Sequence, residues 1–211
     1  MVKEISVNNI GYTIIKYLGK GKSGYCYLGQ ASDKYYVIKQ IHHEPCDYYS
    51  FGDKLEAELN SYETLKKINI TMPILIDVDK EKECIVKEYI DGPILIDLIA
   101  NNTISDEHIA QTFAMCSKLY KANLNIDYFP TNFVIQDGHI YYIDYECNSY
   151  SDEWDFENWG IYFWVHSEKM KLFAKTGNYE SIIRNGKPIT EGLEECVRRW
   201  ISLNGSIFEN I

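Results

Sequence analysis

Apolar and polar positions change rhythm along this chain, and each change of period predicts an element. Runs rich in aromatic and β-branched residues at Tyr12–Tyr17, Tyr25–Leu28 and Tyr35–Ile38 read as strands, with glycines or polar turns between them. Across residues 49–67 (Tyr49 to Lys67), Leu55, Leu59, Tyr62 and Leu65 recur at near-helical spacing and predict one helix, followed by an apolar strand after Pro73. Farther on, Phe133–Ile135 and His139–Ile143 flank Asp137-Gly138, a pair whose two positive φ angles suit a tight hairpin turn. Closing that hairpin brings Asp127, Asn132 and Asp144 to one end of a small sheet.

Composition narrows the class. A chain of 211 residues can bury a sizeable core, in one bilobal unit or two small domains. No apolar run approaches the ~18 residues of a membrane span, and the first residues lack the apolar stretch of a signal peptide. The six cysteines form no Cys-x-x-Cys pair and no zinc spacing, which predicts reduced thiols in a cytoplasm. The net charge of −10 falls almost wholly after residue 90, which argues against nucleic acid and against anionic membrane surfaces as partners. Residues 144–157 carry Asp144, Glu146, Asp152, Glu153, Asp155 and Glu157 with no base. The plain expectation is a solvated acidic surface, and the sharper one a funnel for a cationic acceptor.

Asp127, Asn132 and Asp144 are the set phosphoryl transfer uses: a carboxylate to orient a hydroxyl, and an amide with a carboxylate to hold magnesium. Upstream, Gly19, Gly21 and Gly24 lie between two strands rather than before a helix. That context suits a loop over nucleotide phosphates, where backbone amides approach without a Cβ in the way. Lys39 closes the next apolar run. Together these motifs, from about residue 12 to 160, resemble the protein-kinase-like superfamily. The resemblance implies an α+β, bilobal protein-kinase-like fold. Residues 1–90 would form an N-lobe of antiparallel β-sheet plus one helix, and residues 91–211 a truncated, mainly helical C-lobe with a catalytic β-hairpin. It also implies that Lys39 contacts the phosphates of ATP and is braced by a glutamate of the helix. Glu56, Glu58 and Glu63 are the candidates, with Glu58 favoured. Backbone groups of Glu88 and Ile90 would meet the adenine, with Lys87 at the gatekeeper position and Cys26 on the glycine-loop strand. Asp127 would be the catalytic carboxylate, Asn132 and Asp144 the Mg²⁺ ligands, and Glu146 a further metal or water contact.

The path from Asp144 to Asp155 is about a dozen residues and holds no Ala-Pro-Glu, so the peptide platform of regulated protein kinases is absent. Ile143-Asp144-Tyr145-Glu146 and Trp154-Asp155-Phe156 look more like the aminoglycoside phosphotransferase and choline kinase branch. Asp155 then caps the next helix and ties it to the catalytic loop, and Trp154, Trp159, Tyr162 and Trp164 are candidates for an ammonium cage. The chain departs from that branch at Asn125-Ile126 before Asp127, and at Phe129, where a His or Lys usually helps neutralise the transferring phosphate. The small kinase of the tRNA-threonylcarbamoyl complex and the lipopolysaccharide-core sugar kinases are of similar size. The first typically ends in a basic tail and the second acts at a membrane, and this chain has neither a basic tail nor a basic patch. The expectation is an ATP- and Mg²⁺-dependent transfer to a hydroxyl of a small, cationic molecule. The alternatives are a nucleotide-binding regulatory module with a protein partner, or an atypical Ser/Thr protein kinase.

Overall fold

The computed structural model describes residues 4–45 and 52–205. It divides into two compact units, Met1–Glu63 with Pro73–Ile90, and Thr64–Met72 with Asp91–Ile211.

The first unit is built on six strands and one helix: β1 (Glu4–Val7), β2 (Ile10–Lys20), β3 (Gly24–Ala31), β4 (Lys34–Ile41), α1 (Lys54–Lys67), β5 (Leu75–Asp79) and β6 (Cys84–Glu88). The sheet runs β1-β2-β3-β4-β6-β5 with every pairing antiparallel. Two of its turns are two-residue hairpins, Asn8-Asn9 and Ser32-Asp33, with both residues at positive φ. That backbone matches the right-handed twist of the strands it joins. The sheet curls because its edges are tied: Asn8 Nδ2 donates to Asp77 Oδ1 (2.9 Å) and Val78 O (3.0 Å), joining the β1–β2 turn to β5. Side-chain alternation then sorts the two faces. Ile38 and Val86 join Ile5, Val7 and Tyr12 inside the curl, while Ile41 and Ile85 pack with Leu55 of α1. The helix begins at Lys54, after Asp53 caps it by accepting the Glu56 N–H on Oδ1 (2.9 Å). Residues 49–51 of the expected helix lie outside the described residues.

The second unit holds the remaining elements: α2 (Leu95–Ala100), α3 (Asp106–Lys121), β7 (Leu124–Asn125), β8 (Phe133–Gln136), β9 (His139–Tyr142), β10 (Asn148–Ser149), α4 (Ile161–Val165), α5 (Ser167–Thr176), β11 (Ile183–Arg184), β12 (Lys187–Pro188) and α6 (Glu194–Asn204). α3 buries Ile109, Phe113, Cys116, Leu119 and Tyr120 at helical spacing and opens with a capping box between Ser105 and His108. Phe133, Tyr142, Phe156 and Trp164 complete the core beside it. β8 and β9 pair from Phe133↔Tyr142 to Gln136↔His139 around Asp137-Gly138, both at positive φ as expected. The chain is therefore an α+β protein with the parts of a protein-kinase-like fold: a curled antiparallel sheet with one helix, and a mainly helical part carrying a short hairpin. Among the described residues no helix is long and apolar enough to cross a membrane.

Candidate functional site

In the first unit the alternation that sends Ile38 into the curl sends Lys39 to the α1 face. β4 does not end at Lys39 but runs on to Ile41. In the β4–β6 register Lys39 faces Ile85 and Val37 faces Lys87, so Lys39 and Lys87 are diagonal neighbours on one face. Between them lies Glu58, the glutamate of α1 that meets Lys39. Lys39 Nζ is 2.6 Å from Glu58 Oε2, with side-chain exposures of 8% and 5%. Lys87 Nζ, equally buried, is 3.9 Å from Glu58 Oε1. Glu56, one of the alternatives, instead faces an exposed Lys80 at 3.8 Å.

The glycine-rich segment of this unit is a closed turn. Gly19 is inside β2, paired with Cys26 of β3, and Gly21 N–H donates to Gly24 O (2.9 Å). A Cβ at Gly24 would come within 2.8 Å of Gln40 O and 3.0 Å of the Lys39 side chain, so packing alone requires that glycine. Gly19 and Gly21 are different: a Cβ at Gly19 meets nothing within 4 Å, and one at Gly21 only Gly24 O at 3.9 Å. Lys20 and Tyr25 both bond Glu44, which lowers the Glu44 pKa and raises that of Lys20. At the other end of the sheet Glu88 N–H donates to Ile74 O (2.9 Å), and Glu88 Oε2 accepts the Ile74 N–H (3.1 Å). Ile90 is buried at the end of this unit.

In the second unit the loop after β7 carries Asp127 and Asn132, and Asp144 follows β9. Asp127 Oδ1 accepts the Phe129 N–H (3.0 Å), and Asn132 Nδ2 donates to Asp127 O (3.3 Å). Spending its amide nitrogen there turns the Asn132 oxygen the other way. Ile143 N–H donates to Asn132 O (2.9 Å), which sets Asn132 and Asp144 on adjoining backbone. Asp144 Oδ1 accepts the Tyr145 N–H (2.9 Å). Beneath them Tyr142 is fully buried and donates its hydroxyl to Glu146 O (2.9 Å). Burial pushes that hydroxyl well above its ordinary pKa, and the charges of Asp144, Asp127 and Glu146 push the same way. Tyr142 is a buried residue of this site that sequence reasoning missed, although it shares the inward face of β9 with Ile140. Among the described residues no three His, Cys, Asp or Glu groups gather as a metal cluster. Two hard oxygen donors suit Mg²⁺, which keeps water and phosphate in most of its shell.

Phe129 fills the position where a basic residue was expected by resemblance. Its ring packs on Phe163 (5.2 Å), Phe173 (5.3 Å) and Tyr179 (6.0 Å). Tyr179 is 58% exposed, and partial burial together with the Asp127 charge raises its pKa. Of the four aromatics named for an ammonium cage, Trp154 and Trp159 lie 4.4 Å apart while Trp164 belongs to the core. Trp164 is buried and donates its indole N–H to Tyr128 O (2.8 Å), because a core helix needs that ring. Asp155 does cap its turn, accepting the Asn158 N–H (2.6 Å) and the Tyr150 hydroxyl (3.0 Å), and burial raises its pKa. Trp164 ties this segment to the loop of Asp127, and so does Gly160, where a Cβ would come within 2.5 Å of Tyr128 Cβ. Asp155 and Glu157 are buried, so the acidic stretch is less of a surface than its charge suggested.

No family model matches the chain. It is 22% identical over 205 residues to subunit Bud32 of the KEOPS complex from Pyrococcus abyssi, an alignment that covers 90% of this chain and 87% of the relative. Bud32 is an atypical protein kinase of the protein-kinase-like superfamily. The weak similarity therefore runs toward a kinase that serves as a subunit of a complex, and nothing in it supports the aminoglycoside phosphotransferase and choline kinase branch.

Proposed function

We propose that this protein is an atypical kinase that binds ATP with Mg²⁺ and acts on a hydroxyl presented by a protein partner. The observation that carries the reading is the buried Lys39–Glu58 pair at 2.6 Å, a costly ion pair that fixes one cation beside the glycine-rich turn. In this reading Lys39 meets the nucleotide phosphates, and the open space at Gly19 and Gly21 beside Gly24 admits them. Backbone groups of Glu88 and Ile90 meet the adenine edge. Asp127 orients the acceptor hydroxyl and takes its proton. Asn132 and Asp144 would hold Mg²⁺, which when bound neutralises phosphate charge. Bud32 is by name a complex subunit, and that supports a protein partner over the small-molecule acceptor expected from the sequence. The described cysteines form no disulfide, which favours a reducing compartment such as the cytoplasm.

A second reading keeps the nucleotide and drops the transfer. Phe129 supplies no charge where developing phosphate charge is usually met, and this favours slow turnover in a regulatory role. Turnover of Mg-ATP by the wild type and Asp127→Asn separates the two. A kinase loses about 10²- to 10⁴-fold in the variant while its ATP affinity holds. Equal turnover in both proteins would sink the transfer and leave the regulatory reading.

A further inference from the structure

Lys54 is a buried lysine that no role above uses. It opens α1, is 7% exposed, and shares a helix face with Glu58 one turn later. Its ammonium donates to His42 O (2.6 Å) and reaches Lys22 O in the glycine-rich turn (3.4 Å). His42 adds two further ties to the same turn: its backbone N–H donates to Ser23 O (2.9 Å), and its Nε2 lies 3.1 Å from Gly21 O. The three consecutive carbonyls of Gly21, Lys22 and Ser23 therefore each meet a nitrogen of Lys54 or His42. In a planar trans peptide the C=O and the next N–H point in opposite directions. Holding the Gly21 and Lys22 carbonyls toward Lys54 and His42 turns the Lys22 and Ser23 N–H groups to the opposite side, and successive amides so aligned make an anion-binding concavity.

We infer that Lys54, with His42, is a positioning residue for nucleotide phosphate: it fixes the glycine-rich turn with its amides outward and ties that turn to the helix that braces Lys39. This rests on the nucleotide-binding reading above and goes beyond it. One helix face thereby sets both phosphate contacts, the turn through Lys54 and the ammonium of Lys39 through Glu58, so a shift of α1 loosens both at once. Lys54 is placed against the carbonyls of His42 and Lys22 and is given no part in the chemistry.

The test is calorimetric titration of ATP, ADP and adenosine, each with Mg²⁺, into wild type, Lys54→Met, Lys54→Arg and His42→Phe. The expected result is a loss of about tenfold in ATP and ADP affinity for Lys54→Met, adenosine affinity unchanged, and recovery in Lys54→Arg, which keeps the donors. His42→Phe should weaken the same two ligands by a smaller factor, and it carries the test if Lys54→Met does not fold. Equal losses for adenosine and ATP, or no loss in either variant, would overturn the positioning role. A wild type that binds no ATP would instead overturn the nucleotide reading on which it rests.

Discussion

Glu58→Gln removes one negative charge between two buried ammonium groups, and the geometry sets the scale. At an effective dielectric of about 20, attraction is roughly 6 kcal/mol for a pair at 2.6 Å and roughly 4 kcal/mol at 3.9 Å. Among the described residues Glu58 Oε1 has no hydrogen-bond partner, so the longer interaction with Lys87 is one of charge alone. Desolvation of the carboxylate offsets much of that sum, and breaking a buried pair from one side costs about 3–5 kcal/mol net. For a chain of this length that lowers the melting temperature by roughly 10 °C. Glu56→Gln is the control, on the same helix with the same chemistry. Its contact with Lys80 is 3.8 Å long, with exposures of 54% and 73%, so its effect stays within about 0.5 kcal/mol. Urea unfolding of both variants, followed by tryptophan fluorescence, measures the difference. If Glu58→Gln were as mild as Glu56→Gln, burial would not be what gives this ion pair its weight.

Three further outcomes follow from particular contacts. Gly92→Ala places a Cβ 1.8 Å from Ile135 O and lowers stability by about 3 kcal/mol in urea, because backbone must move to admit it. Gly19→Ala has open space around it, so the urea midpoint stays put while titration shows weaker ATP binding. Asp155 has its pKa raised by burial, so its folded form holds a proton more tightly than the unfolded chain. Its contribution is complete at low pH and is lost as pH rises through the folded pKa. The stability difference between wild type and Asp155→Asn should therefore fall across that window when urea midpoints are compared from pH 4 to 8, and a flat difference would contradict the burial argument.

Local chemistry made much of this molecule legible. Asp137-Gly138 announced its hairpin because a two-residue turn demands positive φ at both positions. Lys39 and Glu58 were legible as a pair through the kinase-like resemblance, and strand alternation with helical spacing explains why they meet on one face. Other features depend on distance in space rather than in sequence. The curl of the sheet comes from Asn8 reaching Asp77, a contact between residues 69 apart that no local pattern signals. The apolar spacing of α3 and its Ser105 cap are equally local signals, and the Asn185-Gly186 turn between β11 and β12 carries the same hairpin signal as Asp137-Gly138. Spacing shows that aromatics share a region, not whether the core or a ligand claims them, and the core claims Trp164. The similarity to Bud32 extends over 90% of the chain at 22% identity, too thin for any single local motif to signal.

The central claim is the proposed one, that the chain binds ATP with Mg²⁺ and that Asn132 with Asp144 would hold the metal. Titrating ATP into the wild type and Asp144→Asn, each with and without Mg²⁺, tests it most directly. The account predicts wild-type binding that strengthens with Mg²⁺, and a variant that still binds ATP but no longer responds to the metal. Absence of ATP binding in the wild type, or an equal response to Mg²⁺ in Asp144→Asn, would contradict it.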